Sequence, residues 1–211
     1  MGRAIRSIAS HYPQEAASFV ELALLQYPEK HREIIFSAIS AQPAATEDIV
    51  QAALDSGVSS CVDIVELAIL AEPSYVDFVV DVAAQSTPEE LDEIVRVAVM
   101  SQPDSADRIV QTLAKSHPNK LVNILSTAMN AVPLVGEYMV DALLAVFPNK
   151  ADDIITVAVK ESLVQSKELD KIIATAQNLG INEEDIRLYA TQGGATEDQI
   201  TRALITPAVI E

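Results

Sequence analysis

Nine of the ten prolines lie on one 15-residue lattice: Pro13, Pro28, Pro43, Pro73, Pro88, Pro103, Pro118, Pro133 and Pro148. The one interval of 30 residues holds Val58 at the skipped point, and only Pro207 stands off the lattice. Proline lacks an N–H and clashes with the turn before it, so it is excluded from helix interiors and central strands. No regular element can therefore be much longer than one interval. A fixed internal period is the mark of a repeat architecture.

Counting each lattice point as position 1, position 7 reads Phe19, Ile34, Ile49, Ile64, Val79, Ile94, Ile109, Ile124, Met139 and Ile154. Position 8 reads Val20, Ile35, Val50, Val65, Val80, Val95, Val110, Leu125, Val140 and Ile155. Position 11 is Ala in eight of the ten units, with Leu113 and Leu143 the exceptions, and position 12 is mostly large and apolar. Apolar residues at 4, 7, 8, 11 and 12 follow the spacing of an amphipathic helix, and the alternation of a strand is absent. Proline suits the first helical position, and it restricts the residue before it, which stops the previous helix. Each unit is expected to be one helix of about three turns and a tight turn. Thr87-Pro88-Glu89-Glu90 reads as a capping box, with the Thr87 hydroxyl accepting from the first turn.

Short turns should make successive helices antiparallel. Two units then form a 30-residue hairpin, and Pro118-Asn119-Lys120 recurring as Pro148-Asn149-Lys150 supports the doubling. The expected fold is all-α: hairpins stacked as a right-handed α-solenoid over residues 1–162, with an irregular helical cap over 163–211. In that cap, Ser166–Leu179, Asn182–Gln192 and Thr196–Leu204 read as helices, with Gly180 and Gly193-Gly194 as C-terminal stops. Asn182 and Thr196 read as N-terminal caps. At the other end, Ala4-Ile5 and Ile8-Ala9 fit positions 7, 8, 11 and 12 of a unit lacking its first half. This suggests a fragment excised from a longer bacterial protein.

The paired units resemble short HEAT-like α-solenoids, and the Pro-x5-Ile-Val-x2-Ala spacing resembles Ala/Pro-rich helical repeats of uncharacterised bacterial proteins. The resemblance covers Arg3 to Ser162 and implies protein–protein scaffolding by analogy of fold alone.

The net charge is -17, which disfavours nucleic acid and anionic membrane surfaces as partners. No apolar run approaches the roughly 20 residues of a membrane helix, and the start has no signal-peptide core. The compartment stays open, with an extracellular or periplasmic one favoured if the chain is an excised fragment. Cys61 is the only cysteine, so there is no disulfide framework. It occupies position 4, equivalent to Ala16, Ala106 and Ala151, and reads as a small core residue. His11, His31 and His117 form no metal-binding pair, and the acidic clusters lack EF-hand spacing. No catalytic residue, cofactor or metal site is expected, and the chain reads as a non-enzyme.

One stretch exceeds background. From Glu33 to Val95 there is no Lys, Arg or His and there are thirteen acids. They recur by position: Glu33, Asp63, Glu93 and Asp153 at position 6 of one parity, Glu47, Asp77, Asp107 and Glu137 at position 5 of the other. Equal positions stack into ladders in a solenoid, so Asp63, Asp77, Asp81, Glu89, Glu90 and Glu93 are the candidate face for a basic protein partner. A merely solvated face is the competing explanation. Phe36, Tyr75, Phe78, Leu134, Val135 and Tyr138 occupy nominally exposed positions and serve either a partner or packing. Missing its proline, the segment Asp55–Ser60 reads as a hinge or a change of curvature. The expected function is an interaction or scaffold module with an acidic face. The alternatives are a spacer that self-associates through its N-terminal half-repeat and, well behind, a divalent-cation-binding or enzymatic domain.

Overall fold

The computed structural model describes residues 1–163 and 166–205, with Ser166 described in its backbone only. Pro207 lies outside them. The chain forms two compact units, residues 1–102 and 103–211. The described residues contain fourteen α-helices and no strand, an all-α solenoid-like repeat.

Unit 1 holds α1 (Gly2–His11), α2 (Ala16–Gln26), α3 (His31–Ala41), α4 (Thr46–Ser56), α5 (Cys61–Ala71), α6 (Val76–Ser86) and α7 (Leu91–Ser101). Unit 2 holds α8 (Ala106–Ser116), α9 (Leu121–Ala131), α10 (Gly136–Val146), α11 (Ala151–Ser162), α12 (Ser166–Asn178), α13 (Glu183–Gln192) and α14 (Glu197–Ile205).

The period resolves into a three-residue 3-10 turn, an α-helix of 11 residues and one linking residue. Proline thus opens a 3-10 turn, and the α-helix starts at position 4. The linking residue serves both neighbours. The Thr87 N–H donates to Ala83 O at 2.9 Å, completing α6, and Thr87 O accepts from the Glu90 N–H at 3.0 Å, opening the next turn. Its backbone, φ -136° and ψ 65°, lies outside the helical region that a following proline disfavours. The expected capping box at Thr87 does not form. With this backbone, the hydroxyl turns back and donates to Ala83 O at 2.9 Å, with Cys61 Sγ at 3.1 Å from the same oxygen.

The proline-less unit is built differently. Gly57 ends α4 with φ 62°, and Ser60 caps α5 by accepting from the Asp63 N–H at 3.2 Å. Cys61 still starts its helix at position 4, so the register is preserved.

Each helix packs chiefly on the helix two along and less on its immediate neighbours. In unit 1 this places α1, α3, α5 and α7 in one layer and α2, α4 and α6 in the other. Unit 2 repeats the arrangement with α8, α10, α12 and α14 against α9, α11 and α13. The chain turns through 118° between α9 and α10, so these two are steeply inclined rather than strictly antiparallel. An apolar stripe five positions wide can touch the other layer and both flanking helices of its own. Position 7 is accordingly 0% exposed from Ile34 to Ile154.

The C-terminal helices lose the period and keep the stacking. α12 packs on α10 and α11, α13 on α11 and α14 on α12, so the expected boundary at residue 162 falls inside unit 2. Gly180 (φ 80°) closes α12 by a Schellman motif, with the Ile181 N–H on Ala176 O at 3.1 Å. Thr196 forms a genuine capping box: the Gln199 N–H donates to Thr196 Oγ1 at 3.3 Å, and Gln199 Oε1 accepts from the Thr196 N–H at 2.9 Å. Among the described residues no single helix is long and apolar enough to cross a membrane.

Candidate functional site

The layering divides the six candidate acids. Asp63 on α5 and Glu93 on α7 belong to the odd-numbered layer, Asp77 and Asp81 lie on α6 in the other, and Glu89-Glu90 sit in the turn Pro88–Glu90 that joins α6 to α7. Equal positions of one parity share a layer, and the two parities occupy different layers.

In α5, position 6 reaches toward the helix before it. Asp63 forms an ion pair with Arg32 of α3, and its Oδ2 lies 3.1 Å from His31 Nε2. Ser59 Oγ donates to the same oxygen at 2.7 Å. Burial raises the Asp63 pKa, but the Ser59 hydrogen bond and the Arg32 and His31 contacts together hold it below the usual carboxylate range. The two ring nitrogens of His31 face acceptors, Pro28 O at 3.0 Å and Asp63 Oδ2, so both bonds coexist only in the doubly protonated ring. The Ser59 hydroxyl donates to Asp63 and not to the imidazole, so the cluster lacks the serine-to-imidazole bond of an activated nucleophile. Its arrangement clamps α3 to α5 beside the segment that lacks proline. Asp63 was legible as an acid; its partners were not. A spacing of 31 or 32 residues, one or two more than a double repeat, was the signal that links Arg32 and His31 to it.

Glu33 repeats the rule one step earlier, accepting from the Gly2 N–H at 2.7 Å, which lowers its pKa. Glu93 instead pairs with Arg96 on its own helix, with Arg96 Nε at 2.9 Å from Oε2, and its pKa is lowered by that hydrogen bond. On α6, Asp81 accepts from Gln85 Nε2 at 2.8 Å.

Glu89 and Glu90 differ from these. Glu89 is exposed and Glu90 partly so, and neither carboxylate has a hydrogen-bond or ion-pair partner among the described residues. They lie near the start of α5, because Thr87 contacts Cys61 there. The Cys61 thiol is buried, as expected of a core residue, and burial pushes its pKa up, with Glu90 and Glu89 adding to the rise. Asp92, one residue into α7, is also exposed and unpartnered, as is Glu66 on α5.

The apolar residues at exposed positions separate. Phe36 is partly buried and Tyr75 stacks at 5.6 Å from the 50% exposed Phe78. In unit 2, Leu134 and Tyr138 are 68% and 57% exposed, while Val135 is partly covered. Of the histidines outside the cluster, His11 Nδ1 lies 2.7 Å from Ser7 O and His117 sits partly covered in a turn. No group of three or more His, Cys, Asp or Glu side chains is placed to hold a metal ion among the described residues.

No family model matches the chain, and neither a search of curated proteins nor one of solved structures finds a match.

Proposed function

We propose that this chain is a non-enzymatic protein-interaction module, HEAT-like in its use of stacked helices, whose binding edge is the acidic margin of the odd-numbered layer in unit 1. The observation that carries the reading is the local charge imbalance. The two arginines that reach this margin, Arg32 and Arg96, are already engaged by Asp63 and Glu93. Glu66, Glu89, Glu90 and Asp92 are left without a cation. A basic protein segment supplies what they lack, and it gains from electrostatic steering by a chain of net charge -17. Of the original six candidates, Glu89 and Glu90 are the two expected to touch the partner directly, and Asp63 acts by holding the edge in place.

The test compares three baits in extract from the source organism: the parent chain, a variant with Glu89→Gln, Glu90→Gln and Asp92→Asn, and a control with Asp104→Asn, Asp107→Asn and Asp141→Asn in unit 2. A basic protein retained by the parent and the control and lost by the first variant supports the reading. Equal recovery on all three refutes a localised edge and leaves the acids to solubility.

A second reading, self-association through the N-terminal end, has its own observation. Leu22 and Tyr12 are 63% and 57% exposed there, beside apolar positions that are covered in later repeats.

A further inference from the structure

Position 13 is polar in three of the odd-numbered helices: Ser40 on α3, Asn130 on α9 and Lys160 on α11. On α5 and α7, which pack side by side in unit 1, the same position is Leu70 and Met100, and these are 66% and 54% exposed. Because the layer repeats every 30 residues, equal positions on α5 and α7 stand at the same level. Two large apolar side chains are therefore presented to solvent on neighbouring helices, whose axes are about 8–10 Å apart. One helical turn back on the same face, position 9 is Glu66 on α5 and Arg96 on α7.

Charge is graded along this face. Arg96 is held by Glu93 and leans on Met100, with Nη1 3.5 Å from Sδ. Glu66 and Asp92 are exposed, and neither carboxylate has a hydrogen-bond or ion-pair partner among the described residues. At 1.5 Å per residue, Glu66 lies about 6 Å and Asp92 about 12 Å along the helices from the level of the apolar pair. The face thus runs from apolar, at the C-terminal ends of α5 and α7, to acid without a cation at their N-terminal ends. Glu89 and Glu90 continue the acid into the turn before α7.

We propose that this face seats a basic amphipathic helix of a partner protein, with one large apolar side chain between Leu70 and Met100 and cations over Glu66 and Asp92. The inference rests on the acidic-edge reading above and adds the apolar anchor and the register. Charge complementarity commits the face to a cationic occupant, because an acidic segment would meet Glu66 and Asp92 with no free cation to answer them. Neighbouring helices of one layer leave a groove between their ridges, and a helix laid along it rises at the same rate as they do. An apolar residue followed four and seven residues later by Lys or Arg then matches the two acidic levels, at about 6 and 10 Å. In that order the partner helix runs antiparallel to α5 and α7, with its cations toward its own C-terminus, where the macrodipole favours them. Burial of the anchor supplies affinity, and the carboxylates set orientation and encounter rate.

The test selects peptides from a random displayed library on the full chain, each of about 16 residues, a little over four helical turns. Enriched peptides are then titrated against the parent and two variants. One variant is Leu70→Ser with Met100→Asn, the residues that α3 and α9 carry at this position; the other is Glu66→Gln with Asp92→Asn. Circular dichroism checks that each keeps its helix content. The enriched peptides should carry a large apolar residue followed by Lys or Arg four and seven residues later. Their affinity should fall about tenfold or more for the first variant, and severalfold for the second, with the second loss shrinking at high salt. Basic peptides that bind the first variant as tightly as the parent overturn the apolar seat and spare the acidic-edge reading. No enrichment, or enriched peptides without cations, overturns both.

Discussion

The pair Gly193-Gly194 offers a test of why each glycine is there, because the two have different reasons. Gly193 has φ -69°, which any residue adopts, so backbone freedom does not require glycine. A Cβ built there would lie 2.7 Å from Thr156 O, 2.8 Å from Val159 Cγ1 and 2.9 Å from Val159 Cβ, where ordinary contact is 3.4–4 Å. The first obstacle is backbone of α11, which cannot rotate aside. Gly193→Ala must therefore lift the end of α13 off α11 by roughly half an ångström or more, an overpacking expected to destabilise by about 1–3 kcal/mol. That corresponds to a fall in Tm of about 2–4 °C per kcal/mol for a chain of this size. Gly57→Ala is the control, because nothing lies within 4 Å of its Cβ and only the left-handed φ of 62° opposes it, a strain of about 1–2 kcal/mol. Thermal melts of both variants, with hydrogen exchange in α13, separate the cases. Gly193→Ala should loosen α13 and α11, and Gly57→Ala should leave them untouched. A Gly193→Ala protein within about 0.5 kcal/mol of the parent would show that the contact is not tight and that the reasoning fails.

Four further outcomes are expected. Asp63→Asn should cost about 1.5–3 kcal/mol at neutral pH by weakening the bonds to Arg32, His31 and Ser59. The folded pKa of Asp63 lies below its unfolded value of about 3.9, so its stabilisation is present above that value and lost as pH falls through the folded pKa; urea titrations at pH 7 and pH 2.5 should show the parent and variant converging in acid. Cys61 is 5% exposed and its thiol pKa is raised, so a thiol reagent at pH 8 should label the native chain only as fast as it opens; rapid labelling would contradict its burial. Ile94→Ala at a fully buried position 7 should cost about 2–5 kcal/mol, and Leu22→Ala, 63% exposed, should change monomer stability by less than about 0.5 kcal/mol in chemical denaturation. Val58→Pro completes the lattice on paper yet should destabilise by more than about 1 kcal/mol, because Gly57 holds φ 62° and ψ 19°, a helix-like ψ that a following proline disfavours.

Periodicity carried far because it acts locally. Proline restricts its own φ and its predecessor, and a stripe at positions 4, 7, 8, 11 and 12 has nowhere to go but inward. The three C-terminal helices were legible for the same reason: Asn182 and Thr196 accept from the N–H groups three residues on, and Gly180 and Gly194 take φ 80° and 98°. Thr87 shows the limit. Its sequence context matched a capping box, but a residue before proline has a backbone that aims the hydroxyl at the helix behind it. The candidate acids show a second limit. Nothing local says that Asp63 finds Arg32 and Ser59 while Glu89 finds no one, because those distances depend on which helix lies alongside.

The amino-acid sequence by itself determined the unit: its length, its helical character, its buried face and the points where it stops. Only the tertiary structure decided that each helix packs mainly on the one two along, and that the six acids divide between two layers and the turn that joins them. It also decided that α12–α14 extend the stacking after the period has failed. The physical reason is range. Capping, proline geometry and amphipathic spacing act over one turn to one helix, whereas neighbours 31 to 35 residues apart meet only when whole apolar faces are buried together.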